Sequence, residues 1–326
     1  MGHGVEAGPS LRAALHGLMA TLAPRAGSLA MTVFGDSIAP QGNSVWLGGL
    51  VAVMQRFGLN ARQVRTAIFR LGREGWLVSS LHGRRSYYAL TESGERQYAR
   101  AAERIYAPAA VAWDGQWTLV TGVGLGAATR DEMRRRLGWL GFGSLGGGLL
   151  AHPHAALVTV HEVLRELGCE QQVVVWRATP SLDAPLAELV RVSWRLDELA
   201  IRFEQFITRF GAFETLLAAL PVLEPGDAFV LRTLLIHEYR RMLLKSTELP
   251  PALLPESWPG HPARALTARL YRCLHGAASE YCCFALENGA GPLPAPSAAF
   301  HQRFGGLLHT TAGRPAVVRA RPASRP

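Results

Sequence analysis

Two pairs, His161-Glu162 and His237-Glu238, open the string with which zinc hydrolases set two imidazoles one helical turn apart beside a carboxylate. The position four residues after each histidine holds Arg165 and Arg241, so neither string supplies a second ligand. His152 and His154 flank Pro153 with no cysteine or carboxylate cluster nearby. Nucleotide chemistry is offered by Gly122, Gly124 and Gly126 in GVGLGA, because glycines between a strand and a helix let backbone N–H groups approach a pyrophosphate. The ribose-binding acid expected about 20 residues further on is missing, since residues 142–150 carry no carboxylate, and the glycines read as a turn. No GxSxG, phosphate-loop or HxE with PCxxC string occurs. No catalytic residue, cofactor or metal is assigned, and an enzyme is not expected.

The stronger pattern is basic. Asn60, Arg62, Gln63, Arg65, Thr66, Arg70 and Arg73 on one short segment, with Arg84, Arg85 and Ser86 just beyond it, are the side chains that hold phosphates and read base edges. Arginines on an outer helix face alone describe only a solvated surface. Here the succession of elements carries the reading.

Residues 60–90, NARQVRTAIFRLGREGWLVSSLHGRRSYYAL, provide the scaffold. Asn60 and Gln63 form a reciprocal capping pair that starts a helix at Ala61. Val64, Ala67, Ile68 and Leu71 fall on one face and bury, leaving the arginines on the other. Phe69 points outward by helical arithmetic, with a place under the adjoining hairpin as the alternative, and is read as structural. Gly75 stops the helix. Residues 76–81 and 85–90 form that β-hairpin around His82-Gly83-Arg84, with arginines at its tip. Upstream, Ser28 caps a helix running to Ala39, Val45-Trp46-Leu47 is extended, and residues 48–57 form a second helix with an apolar stripe. Helix, strand, helix, turn, helix and hairpin make a winged helix-turn-helix whose third helix reads DNA.

The predicted organisation is α+β and multidomain: an arm at 1–24, a winged helix domain at 25–95 and a connector helix at 96–112. A ferredoxin-like α+β domain at 113–185, an all-α domain at 186–288 and a disordered basic tail at 289–326 complete it. In the central part, residues 116–123, 157–160 and 172–177 read as strands and 130–140 as a helix. The 326 residues carry a net charge of +9, unevenly placed: residues 56–104 hold ten arginines against four glutamates, and residues 303–325 hold five arginines and no acid. A polyanion partner is suggested for these two regions. The four cysteines, with no CxxC pair, fit reduced thiols. No apolar run reaches the length of a membrane span and no cleavable leader is visible, which predicts a cytoplasmic protein with no membrane partner.

The strings TVFGDSIAP, VWLGGLVAVMQRFGLNARQVRTAIFRLGREGWL, GRRSYYALTESG, DGQWTLV, LGWLGFGSL and LPPALLPESWPGHPARALTARLY occur in fixed order over residues 25–290. In these the chain resembles the PaaX family, repressors of bacterial phenylacetate-degradation operons. The resemblance implies a winged helix, a Cas2-like central domain and a helical carboxy-terminal domain. It also implies a homodimer and release by an aryl-acyl-CoA such as phenylacetyl-CoA, and two such helices about one DNA turn apart match a palindromic double-stranded operator. A competing reading is an enzyme of CoA or nucleotide chemistry, or a Cas2-like nuclease, with an accessory basic domain. A nuclease needs a carboxylate at the end of the first central strand, where Thr121-Gly122-Val123 stands instead. Arg130, Arg134, Arg135 and Arg136, or Arg240 and Arg241, are candidates by charge for the CoA phosphates, and Trp194 or Trp258 for the neighbourhood of the acyl slot.

Overall fold

The computed structural model describes residues 10–107, 113–153, 155–179, 184–243, 249–307 and 316–317. Helix α1 (Leu11–Leu22) is capped by Ser10 and buries Leu11, Leu15 and Leu18. Helix α2 (Ala26–Val33) continues into a π-helical turn at Phe34–Ile38 and a 3-10 turn at Ala39–Gln41. Arg25, not Ser28, occupies the cap position of α2, and it makes no side-chain cap. The expected Ser28 cap is therefore corrected: Ser28 lies inside the first turn, where its carbonyl accepts from Thr32 Oγ1. Strand β1 (Ser44–Trp46), α3 (Leu47–Gln55), α4 (Ala61–Arg73), β2 (Leu77–His82), β3 (Arg85–Leu90) and α5 (Glu92–Tyr106) follow. The three strands form one antiparallel sheet in the order β1-β3-β2.

The central segment contains β4 (Trp117–Gly122), α6 (Ala127–Trp139), β5 (Gly143–Gly146), β6 (Leu149–His152), α7 (Leu157–Glu166) and β7 (Val173–Ala178). Its sheet is antiparallel in the order β5-β6-β4-β7. With a helix after the first strand and another after the third, this is the ferredoxin-like arrangement, and the order was the part that periodicity alone leaves open. Val120, Met133, Leu137, Leu150, Val160 and Leu164 fill the core between the sheet and the two helices. Residues 157–160 belong to α7 and not to a strand. Their β-branched composition favoured the extended reading, but Val160 and Leu164 share one buried helix face. The GVGLGA run is a turn: a Cβ on Gly122 would stand 2.2 Å from Leu125 Cδ1. Leu125 itself is buried where an opened phosphate cradle would need space.

The remaining elements are α8 (Ala184–Ser193), α9 (Leu196–Ala218), β8 (Val222–Leu223), α10 (Pro225–Leu243), α11 (Gly260–Ala285), β9 (Glu287–Asn288), β10 (Gly291–Pro292), α12 (Ala298–His301) and β11 (Ala316–Val317). The chain divides into two compact units. One gathers Met1–Pro108, Phe206–Arg240 and Pro262–Pro326, and the other holds Ala109–Gln205 with Arg241–His261. Much of the helical carboxy-terminal segment thus folds with the amino-terminal elements.

The expected tail is shorter at its start. Residues 289–307 include β10 and α12, bury Leu293, Phe300 and Phe304, and place Arg303 in the core of the first unit. Most of the segment beyond 307 lies outside the described residues. All four cysteines are free thiols.

Candidate nucleic-acid interface

Helix α4 is fixed at both ends by its own sequence. Asn60 Oδ1 accepts from the Gln63 amide at 2.9 Å, and Gln63 Oε1 accepts from the Asn60 amide at 2.9 Å, so two donors of the first turn are satisfied reciprocally. At the other end the Trp76 amide donates to the Leu71 carbonyl and the Gly75 amide to the Gly72 carbonyl, a Schellman closure. Val64, Ala67, Ile68 and Leu71 are buried, and the helix packs on α2 and α3.

The opposite face is exposed at Arg62, Gln63, Arg65, Thr66, Phe69, Arg70 and Arg73. Among the described residues, Arg62, Arg65 and Arg73 have no ion-pair or hydrogen-bond partner. Arg70 differs, with Nε 3.4 Å from Glu74. Phe69 is 65% exposed: it takes the outward direction of helical arithmetic and is not tucked under the hairpin. At Arg62, Arg65 and Arg73 the face therefore presents guanidinium groups that no acid among the described residues neutralises, the arrangement a polyanion can occupy.

The hairpin is tighter than expected. His82 pairs with Arg85 in the ladder, so only Gly83 and Arg84 form the loop. Gly83 takes φ +61°, the conformation that a two-residue loop requires at its first position and that glycine adopts without strain. Arg84 is exposed at the tip with no partner among the described residues. Arg85 is instead drawn back: it donates to Glu287 Oε1 at 2.5 Å, and its guanidinium lies 4.5 Å from the Trp46 ring centroid. Ser86 is half-buried beside it. The two tip arginines thus separate into one free and one anchored. Replacing Arg84 with alanine is expected to weaken specific and random duplexes alike and to lower the slope of log affinity against log salt by about one. An unchanged slope in a salt titration would show that Arg84 touches no phosphate.

The same compact unit holds a charge cluster that the sequence did not reveal. Asp36, in the π-helical turn, is wholly buried with Arg232 of α10 and with Arg303. Arg232 Nε stands 2.9 Å from Asp36 Oδ2 as an ion pair. Arg303 Nη1 donates to Asp36 Oδ1 at 3.0 Å, and the hydroxyls of Tyr106 and Tyr271 donate to the same oxygen at 2.8 Å each. Burial pushes both tyrosine hydroxyls well up from their usual range, so they remain protonated donors. The Arg303 guanidinium also sits 3.9 Å from the Tyr106 ring centroid. One carboxylate therefore joins α5, α10, α11 and the segment after α12.

The arginines singled out by charge for CoA phosphates are largely engaged already. Arg135 and Arg136 both donate to Glu132, whose carboxyl is lowered to about 2 by hydrogen bonds from them, and Arg134 donates to Asp131. Arg130 donates to the Leu125 carbonyl. Arg240 donates to Thr32 Oγ1 at 3.1 Å and to the Ser28 carbonyl at 3.0 Å. Trp194 donates to the Gly141 carbonyl and lies against Trp117, while Trp258 is buried edge-on to Phe203. Of the zinc-like strings, His237 Nδ1 lies 2.9 Å from Thr32 Oγ1. Among the described residues no group of three or more His, Cys, Asp or Glu side chains could hold a metal. His154 lies outside the described residues.

Comparison with known proteins adds to this geometry. Residues 25–94 match the PaaX-like protein family, residues 110–190 the PaaX protein central Cas2-like domain and residues 194–283 the PaaX-like protein C-terminal domain. The chain is 40% identical over 284 residues to the transcriptional repressor PaaX of Escherichia coli (strain K12), a match covering 86% of this chain and 90% of that protein. It is also similar to the solved structure of the uncharacterized protein Rv0674 from Mycobacterium tuberculosis. That match has 24% identity and a TM-score of 0.49, and covers 75% of this chain and 94% of that one.

Proposed function

Because the chain belongs to the PaaX family, we propose that it is a sequence-specific DNA-binding transcriptional repressor controlling an operon for aromatic-acid catabolism of the phenylacetate type. The observation that carries the reading is the outer face of α4, where Arg62, Arg65 and Arg73 stand exposed without partners among the described residues. In this reading the amino-terminal elements are a winged helix, α4 lies in the major groove and Arg84 at the hairpin tip follows the adjoining backbone or minor groove. The working unit is a homodimer, which sets two copies of α4 about one DNA turn apart over a palindromic site. Among the described residues no helix is long and apolar enough to cross a membrane, and the proposed place of work is the cytoplasm.

Release of the operator is assigned to an aryl-acyl-CoA, with phenylacetyl-CoA the first candidate. The effector must bind the DNA-incompetent arrangement more tightly, and a coupling of about 1–3 kcal/mol shifts operator affinity roughly 5- to 150-fold. The test is a gel shift on the protein's own promoter with phenylacetyl-CoA, free phenylacetate and acetyl-CoA side by side. Release by the aryl thioester alone is expected. Selective promoter binding that ignores every CoA ester would reject this effector class, and absence of selective binding would reject the repressor.

A further inference from the structure

Phe69 is a large apolar side chain placed in water at the middle of a cationic surface. At about 100° per residue it lies within about 20° of Arg62, 40° of Arg65 and Arg73, and 60° of Thr66 around α4. Val64, Ile68 and Leu71 face the domain core, so nothing in the fold of α4 calls for an aromatic ring at position 69. A single exposed apolar residue is ordinary on a protein surface. One ringed by arginines is better explained by what those arginines approach.

We propose that Phe69 is a specificity-determining residue that reads a thymine in the operator through contact with its C5 methyl group. The inference rests on the reading of α4 as the major-groove helix. In that groove each base pair shows donors and acceptors, and thymine alone adds a methyl, the apolar feature to which a phenyl ring is matched. The arginines flanking Phe69 fix the helix by phosphates or guanines but supply no apolar contact of their own. A second copy of the chain is a poorer occupant. Charged residues are depleted at the centres of protein interfaces, and an isologous contact would bring Arg62, Arg65 and Arg73 against their equivalents.

The spacing locates the base. Phe69 follows Arg62 by seven residues, about 10 Å along the helix axis, which corresponds to roughly three base-pair steps of duplex. The thymine should therefore lie about three base pairs from the one that Arg62 contacts. Burying one methyl group is worth about fourfold in affinity.

The experiment uses the full-length protein and its own promoter site, with thymines replaced one at a time by deoxyuridine, which removes only the methyl. Binding is followed by fluorescence anisotropy. Wild type is expected to lose about fourfold at one thymine in each half-site. Phe69→Ala should bind the natural site a few-fold more weakly and no longer distinguish thymine from uracil there, and Phe69→Leu should keep part of the discrimination. Melting temperature and sedimentation of both variants should match wild type, because the side chain is exposed. The proposal is overturned if wild type binds its promoter selectively yet ignores every uracil replacement, or if Phe69→Ala still discriminates. A change of oligomeric state in Phe69→Ala would make the ring a subunit contact and also overturn it. Failure of wild type to prefer its promoter over random DNA would remove both this proposal and the repressor reading.

Discussion

A chain carrying alanine at Arg62, Thr66 and Arg73 together will bind its promoter at least about a hundredfold more weakly, approaching its affinity for random duplex. Each bidentate base contact is worth about 1–3 kcal/mol of discrimination, and each phosphate contact adds salt-dependent affinity. Neither arginine has an intramolecular partner among the described residues, so their loss removes intermolecular terms and little else. The fold should not register the change. All three side chains are exposed, alanine is the best helix former, and the capping pair of Asn60 and Gln63 is untouched. Arg70→Ala alone should cost less, since part of that charge is already neutralised by Glu74. Anisotropy titrations on promoter and random duplex, with circular dichroism as the folding control, give the answer. A triple variant that holds promoter affinity within threefold would exclude α4 as the reading helix.

The second large effect is on stability. Asp36→Asn keeps the size of the side chain but leaves Arg232 and Arg303 buried with no counter-charge. Breaking a buried ion pair by removing one partner costs about 3–5 kcal/mol, because the remaining charge is stranded in a medium that cannot solvate it. At about 2–4 °C per kcal/mol for a unit of this size, the melting temperature should fall by about 10 °C. Adding Arg303→Met should return part of the loss, since it removes one of the stranded charges while keeping apolar contact with Tyr106 and Phe300. Thermal melts of the single and double variants test this. A single variant that melts with wild type, or a double variant that melts below the single, would show that the carboxylate does not neutralise the pair.

How much of this was legible depended on the reach of each signal. The ends of α4 and the hairpin were readable because Asn60 with Gln63, Gly75, and Gly83 act within a few residues of the backbone they control. The ferredoxin-like strands were visible as apolar runs, but their order depends on pairings such as Leu119 with Ala151 and Trp176 that no local pattern encodes. Residues 157–160 were misread because valine and threonine serve both structures, and only the face shared by Val160 and Leu164 decides. The region 289–307 looked unstructured from its proline, glycine and alanine, although Leu293, Phe300 and Phe304 were enough to dock it. The outward direction of Phe69 follows from helical arithmetic, whereas whether the hairpin covers it is a property of the assembled surface.

Asp36 was invisible for the opposite reason: its partners are remote. Arg232 gave one faint sign, an arginine set between Phe229-Val230-Leu231 and Leu234-Leu235-Ile236, where a solvated charge would be out of place. Nothing in the stretch around Arg303 marked it as different from the other arginines of the basic carboxy terminus.

That remoteness has a consequence during protein synthesis. Asp36 and Arg303 are separated by 267 residues, and at about 5–20 residues per second the ribosome needs roughly tens of seconds to deliver the second after the first. Arg232 is made before Arg303, so in the last part of that interval Asp36 has one of its two arginines and lacks the other. A nascent or prematurely terminated chain that ends before Arg303 contains every residue of α4 and the hairpin yet lacks one of the two arginines that pair with Asp36. Such a chain is expected to melt below the complete one in its first unit, because Asp36 keeps Arg232 but has lost Arg303.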